Sequence, residues 1–313
     1  MQADVMKDEE LRDYLINKGL DPSEVSLNYI VEYIPISGNF GEKLQELRKL
    51  RDTNTILNDL SLSDGIIFPL VDVFGTRTSR VIYRNPGLQN LAKKFRDVII
   101  PREGKKLGYV DYDQFEVGIM AALSGDLHLK ELYAAGDMYS LFAEKYLKIE
   151  GFRKQAKLLF LSYAYGMGQK AVVDAAVELG ASRDDAKAAF KKFETYEAWK
   201  KSKEGELDRA GKVPTLLGNY IAGEGSAPFS KKERRSMISQ SVQGSGSLIF
   251  KKALLGLAKV PDFRLVLPMH DAILFEYEDD NTPLLVIENM TTAMSAALNF
   301  GVEGKASIAD FFE

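Results

Sequence analysis

The sequence contains no cysteine in 313 residues, so disulfides and thiolate metal sites are excluded. A reducing cytoplasm is the expected setting, whether the gene is cellular, phage-borne or plasmid-borne. Only two histidines are present, His128 and His270, which rules out a histidine-rich metal centre. Any metal must then be held by oxygen, which points to Mg²⁺ or Mn²⁺ rather than zinc. No apolar run approaches the length of a membrane span, and the acidic opening "MQADVMKDEELRDYL" does not read as a secretory leader. Internal repeats, low-complexity tracts and long linkers are also missing.

What is there fits a globular protein with a substantial core: 45% hydrophobic and 27% charged residues. Length suggests two lobes, on a prior of about 150 residues per domain. The net charge of −4 argues against indiscriminate coating of nucleic acid, while leaving room for a local basic channel. Basic residues cluster in "LAKKFR" (91–96), "FRKQAK" (152–157) and "FSKKERR" (229–235). Each cluster taken singly also reads as a solvated helix face.

Residues 7–18 and 40–60 are predicted helices, the second because Leu44, Leu47, Leu50 and Leu57 recur at helical spacing. The stretches 65–75 and 106–115 read as strands bounded by glycine or charge. From about 115 to 260 the pattern is helical, in segments 115–124, 137–149, 152–165, 169–179, 183–200 and 231–259. Glycines separate them, with a loop over 211–228. Strands return at 263–267 and 272–278, before a helix near 281–299. Strands that flank a large helical insertion predict an α+β lobe interrupted by a helical one.

Asp271, in "LPMHDAILFEYE", stands between two apolar runs that read as a hairpin, with Met269 and His270 beside it at the tip. Asp111, in "GYVDYDQFEVG", likewise ends an apolar strand, just before a helix that begins near Gln114. Locally, Asp271 reads equally well as a turn acid and Asp111 as a helix N-cap. If both strands share one sheet, the two carboxylates meet. Their repulsion in a half-buried site then costs several kcal/mol unless cations lie between them. Two divalent ions roughly 3.5–4 Å apart would relieve it and could clamp both sides of a phosphoryl displacement. On the predicted helix 152–165, Arg153 and Lys157 lie one turn apart on one face, with Tyr165 two turns further on. A cationic pair of this kind suits a triphosphate, and it suits plain solvation too.

The segments around these residues carry a resemblance. "DYDQFEVGIMAALSGD" (111–126) resembles motif A of the family A DNA polymerases, the group of bacterial DNA polymerase I. "RKQAKLLFLSYAYGMG" (153–168) is similar to their fingers helix, motif B, and "MHDAILFEYE" (269–278) to motif C. "TRTS" (76–79) with "NPGLQNL" (85–91) resembles the primer-side segment. "PTLLGN" (214–219) and "RSMISQSVQGSGSLIFKKA" (235–253) match two later segments, in the right order. The likeness runs over residues 65–313. It implies a right-hand polymerase architecture, in which an antiparallel palm sheet carries a large helical fingers insertion. The implied division is a shortened thumb or N-terminal helical segment over 1–64, palm over 65–125 and 235–313, and fingers over 126–234.

The resemblance also implies roles. Asp111 and Asp271, with the backbone carbonyl of Tyr112, would hold two Mg²⁺ ions, Mn²⁺ being the alternative. Arg153 and Lys157 would grip the phosphates of a deoxynucleoside triphosphate, and Tyr165 with Gly166 would abut the templating base. Glu116 matches the family's steric gate against a 2′-hydroxyl; by itself it is also an ordinary first-turn acid. Gln114, Tyr139 and Leu161 fall at nucleotide-side positions. Arg77 and Gln243 match residues that touch the primer–template minor groove, where the acceptors are common to all sequences. Gln89 and Asn90 would contact the template-side backbone, Arg235 would lie on the DNA side, and His270 would lie near the primer terminus.

Departures from the pattern are several. The acid usually found after "HD" is Ala272, and the arginine usually two residues after the gate is Gly118. The aromatic expected four residues after Lys157 is Leu161; Tyr139 stands for a phosphate-contacting histidine, and Ser239 for an asparagine. Only about 64 residues precede the palm-like part, with no acid cluster of exonuclease type. The expectation is a monomeric DNA polymerase, free of membranes, that relies on a processivity factor, helicase or primase. A single-subunit RNA polymerase or primer-making enzyme is the alternative within the fold, and a weakly active nucleic-acid-binding accessory protein is the alternative outside catalysis.

Overall fold

The computed structural model describes residues 40–62, 65–299 and 301–312, together with Asp13, Ile16 and Asn17. Those three are helical, and the rest of the helix expected over 7–18 lies outside the described residues. The expected helix over 40–60 forms as α1 (Phe40–Ser61), with Thr53 and Ile56 buried and Leu47 and Leu50 exposed. Of the strand expected over 65–75 only β1 (Leu70–Asp72) joins a ladder, paired with β2 (Ile82–Arg84). Short 3₁₀ turns follow at Leu88–Asn90 and Lys93–Val98. The chain forms two units. The smaller contains α1 and Tyr83–Ile99; the larger joins Asp72–Ile82 to Ile100–Phe311.

The larger unit begins with β3 (Lys106–Tyr112), followed by α2 (Phe115–Ser124) and α3 (Leu127–Ala134). Helix α3 was not expected. It is only eight residues long, too short for a clear period, and is started by Asp126, whose carboxylate accepts from the Leu129 N–H at 3.0 Å. The expected helix 137–149 is a short α4 (Met138–Leu141) that runs on into a π turn over Phe142–Leu147. Helices α5 (Arg153–Ala164) and α6 (Gln169–Glu178) match expectation. The single helix expected over 183–200 is two, α7 (Arg183–Lys191) and α8 (Glu194–Ala210). The break comes where Phe190 and Phe193 both turn into one aromatic cluster, with Phe193 lying 6.3 Å from Phe142 and 5.8 Å from Phe160 between ring centroids.

The expected loop 211–228 contains a small hairpin, β4 (Lys212–Pro214) and β5 (Tyr220–Ala222). Next comes α9 (Lys231–Leu257), 27 residues long and capped by Ser230, whose hydroxyl accepts from Glu233 N–H. It is followed by β6 (Arg264–Pro268), β7 (Ala272–Tyr277), α10 (Thr282–Leu298) and β8 (Ala306–Ile308). Strands of three residues, such as β4, β5 and β8, are too short to show alternation in sequence.

The central sheet is antiparallel throughout, in the order β6-β7-β3-β8. Inward-facing Val110, Ile273 and Phe275 are fully buried. Gly108 in β3 is required by close approach, because a Cβ there would lie 2.4 Å from the Phe275 ring. Helix α9 packs through small residues: a Cβ on Gly246 would lie 2.9 Å from Phe115, and the Ser241 hydroxyl donates to the Pro214 carbonyl at 2.6 Å. These contacts let α2 and the β4–β5 hairpin close directly on its backbone. The fold class is α+β, as the strand–helix–strand order predicts.

Candidate active site

Strands β3 and β7 bring Asp111 and Asp271 to one end of the sheet. Asp111 sits opposite Ala272, and the Tyr112 N–H donates to the Asp271 carbonyl at 3.1 Å. The Met269 N–H donates to the Ala272 carbonyl at 2.7 Å and closes the turn that carries His270 and Asp271. Burial first, then the charges of Asp271 and Asp113, push the Asp111 carboxyl up to about 7. Burial also raises Asp271, against the downward pull of Arg80 and Lys157. The Asp111 Oδ1 atom is buried and has no hydrogen-bond partner.

An acceptor oxygen left in this state costs free energy that a bound cation or proton would recover. Two carboxylates without sulfur or imidazole make a donor set that fits a hard divalent cation. Among the described residues no group of three or more acidic or histidine side chains is gathered for a metal. The reason is visible at two positions. Ala272, where the resemblance leads one to expect an acid, is buried opposite Asp111. Asp113 turns to β8 and accepts from the Ser307 hydroxyl at 2.7 Å. Tyr112 stacks on Phe115 with ring centroids 4.3 Å apart and donates through its hydroxyl to the Met290 carbonyl at 3.1 Å, so its side chain belongs to the core.

Helix α5 supplies positive charge. Lys157 is exposed, and its charge acts on both Asp111 and Asp271. Its Nζ lies 5.7 Å from the centroid of the buried Tyr139 ring, and the Arg153 guanidinium lies 6.0 Å from the same ring. Arg153 is already engaged, with Nε donating to Asp137 at 2.6 Å. Leu161 is half-buried one turn before Tyr165, whose N–H donates to its carbonyl at 2.9 Å. The Tyr165 hydroxyl donates to Glu116 Oε2 at 2.5 Å, and Arg80 Nη2 lies 3.7 Å from Glu116 Oε1. Burial and then the Glu116 charge hold the Tyr165 phenol far above its usual range. Gly166 has φ +102°, and a Cβ there would meet the Arg235 side chain at 2.8 Å.

A narrow pocket gathers Arg80, Phe115, Glu116, Gln243, His270 and Asp271. Gln243 donates to the Ser239 hydroxyl at 3.3 Å. The His270 ring is solvent-accessible at the hairpin tip, yet crowding by protein and then the Arg80 charge hold its pKa below the ordinary value. Other expected site residues are occupied elsewhere. Arg77 donates to Glu224 at 2.8 Å and to the Ala222 carbonyl. Gln114, at φ +51°, donates to the Gly136 carbonyl at 2.6 Å and accepts from Met138 N–H, tying the start of α2 to α4. In the smaller unit, Gln89 accepts from Tyr83 N–H at 3.1 Å, and Asn90 ends its 3₁₀ turn.

Sequence reasoning missed two members of the site. Arg80 follows directly on the "TRTS" segment, but nothing in that spacing says which carboxylate it reaches. Asp137, partner of Arg153, precedes α4 and reads only as a helix-start acid. At Gly118, a Cβ would lie 2.8 Å from Met294 and 2.9 Å from Tyr133, so the space that an arginine would need is filled.

The sequence model of DNA polymerase family A matches residues 26–310. The chain belongs to DNA polymerase family A. It is 31% identical over 293 residues to DNA polymerase I of Helicobacter pylori (strain ATCC 700392 / 26695), covering 86% of this chain and 32% of that protein. Identity to DNA polymerase I of Treponema pallidum (strain Nichols) is 27% over 299 residues, covering 85% and 30%. The chain thus spans about a third of the length of these curated family A relatives. Among solved structures, the POL domain of Pol1 from M. smegmatis, in complex with DNA primer-template and dNTP, has the same fold, with a TM-score of 0.73 at 20% identity. That match covers 98% of this chain and 60% of the other.

Proposed function

We propose that this chain is a template-directed DNA polymerase that adds deoxynucleotides to a primer 3′ end. The observation that carries the reading is the pairing of Asp111, with its unpartnered Oδ1, and Asp271 within reach of the Lys157 charge. In this reading Asp111 and Asp271 hold two Mg²⁺ ions, Mn²⁺ serving as a substitute. Bound there, such ions supply charge stabilisation to the attacking and leaving oxygens of a phosphoryl transfer. Lys157 and Arg153 bind the triphosphate, with Tyr139 beneath them. Glu116 meets the sugar, Tyr165 and Gly166 meet the base, and Gln243, His270 and Arg235 face the primer–template.

Residues 65–125 and 235–313 act as palm, 126–234 as fingers and 1–64 as a thumb-side segment. Cytoplasmic DNA is the expected substrate, and a processivity factor, helicase or primase would supply sustained synthesis. Primer extension with Mg²⁺ and each of the four deoxynucleotides, and then each ribonucleotide, tests the reading. Template-dependent addition of deoxynucleotides is the expected result. Preference for ribonucleotides would favour the RNA polymerase alternative, and DNA binding without extension would favour the accessory protein.

A further inference from the structure

One side of α9 leaves the pocket and ends on an ammonium that lacks a polar partner. Gln243 lines the pocket, and Ser247 one turn on donates through its hydroxyl to the Ser79 carbonyl at 2.5 Å. Lys251 follows after a further turn, about 12 Å along the helix from Gln243. Its Nζ atom is buried and has neither a hydrogen bond nor an ion pair among the described residues. Burial accordingly holds its pKa below the ordinary value. What it does have is the Phe74 ring, 4.1 Å away at the centroid. An aromatic face attracts a cation, but it does not replace the hydrogen bonds that an ammonium gives up on leaving water.

Phe74 is unsatisfied in its own way. It is 68% exposed, beside Val73 at 50%, although the backbone that carries it is held in place. The Phe74 N–H donates to the Asp72 carboxylate at 3.1 Å, and the Gly75 N–H donates to the Arg80 carbonyl at 3.0 Å. A fixed turn thus presents an apolar ring to solvent with a cation beneath it. We propose that Lys251 and Phe74 form a subsite for one backbone phosphate of the primer–template duplex, with the ring against the adjoining deoxyribose. This rests on the polymerase reading. The flexible lysine stem lets the ammonium swing to the edge of the ring, where a phosphate supplies the charge-assisted hydrogen bonds it lacks. A phosphate joined to a sugar answers both halves at once. The pair adds affinity and register and touches no reacting atom.

The test is the affinity of the full chain for a labelled primer–template, read by fluorescence anisotropy between about 0.05 and 0.3 M KCl. Lys251→Gln should weaken binding by roughly 3- to 10-fold at the low end and reduce the slope of log K against log salt by about 0.9, the share of one phosphate. Lys251→Arg should keep the slope. Phe74→Ala should weaken binding and leave the slope unchanged, because an apolar contact releases no counterion. In all three, kcat for single-nucleotide addition at saturating DNA should stay within about two-fold of the unmodified chain. Replacing single phosphates by methylphosphonates should find one position that costs the unmodified chain affinity and costs Lys251→Gln almost none. Thermal melting checks that each variant is folded, and Phe74→Leu substitutes if Phe74→Ala is not.

An unchanged salt slope in folded Lys251→Gln overturns the subsite while the polymerase reading stands. A scan in which every methylphosphonate costs Lys251→Gln as much as the unmodified chain overturns it too. If the unmodified chain neither binds nor extends a primer–template, the polymerase reading falls and the subsite with it.

Discussion

The sheet end that holds the two acids and the helix face that holds the two cations are built by opposite means. Asp111 and Asp271 are placed by main chain: ladder register, the Tyr112-to-Asp271 hydrogen bond and a closed hairpin turn. Among the described residues, no cation contacts either acid directly. Arg153 and Lys157 are placed by helix periodicity alone, stand in solvent, and rest on provisional partners, Asp137 and the Tyr139 ring. An under-neutralised anionic end, fixed by main chain, thus faces a solvent-exposed cationic one. That arrangement suits a ligand that brings its own charges of both signs, a metal–triphosphate complex, because neither half satisfies the other in advance.

The hardest way to break this comparison is to remove an acid. Asp111→Asn or Asp271→Asn should lower primer extension by at least about 10³-fold, since several kcal/mol of transition-state stabilisation would go with the metal. Primer–template affinity, read by fluorescence anisotropy, should stay the same or rise slightly. Either variant retaining near-normal extension would refute the two-metal assignment. On the cationic side, Lys157→Ala should cost roughly 10- to 100-fold in kcat/KM for dNTP, with KM raised and kcat lowered, because a phosphate contact that strengthens in the transition state is lost.

The sheet side can be tested without touching charge. Gly108→Ala places a methyl against the fully buried Phe275 ring and should cost about 1–3 kcal/mol of stability by overpacking. A thermal melt unchanged from the unmodified chain would show that β3 and β7 have more slack than the geometry allows. The smallest effect is expected at Asp137, whose pair with Arg153 is about half exposed to solvent. Asp137→Asn should change the KM for dNTP by less than about three-fold, with the direction reporting whether freeing Arg153 helps or misplaces it.

Much of the site is legible in short stretches of sequence. Asp111 and Asp271 stand out as acids in apolar strands, and Arg153, Lys157 and Tyr165 as one helix face. These are local patterns, and local patterns survive in sequence. The expectations for Arg77, Gln114 and Gln89 rested on motif position, yet each side chain has a competing partner, Glu224, Gly136 and Tyr83 respectively. Whether such a contact yields when DNA binds depends on distant residues that no local pattern names. The division of helix 183–200 and the hairpin at 212–222 were hidden for a related reason, since strands of three residues and two abutting helices carry too little periodicity to read.

By itself, the sequence determined that the protein is α+β, that cysteine cannot ligate a metal here, and which two acids and which basic helix face are candidates for the chemistry. Composition and short-range spacing suffice for those statements because they depend on residue type and on the 2- and 3.6-residue periods of strand and helix. Only tertiary structure decided that Asp111 and Asp271 lie side by side, that Tyr133 fills the space beside Gly118, and that Arg80 rather than Arg77 reaches Glu116. Each of these is a contact between segments far apart in the chain, set by sheet register and by the small residues that let α9 approach α2. Such contacts depend on how whole elements pack, and side-chain spacing along the chain does not encode them.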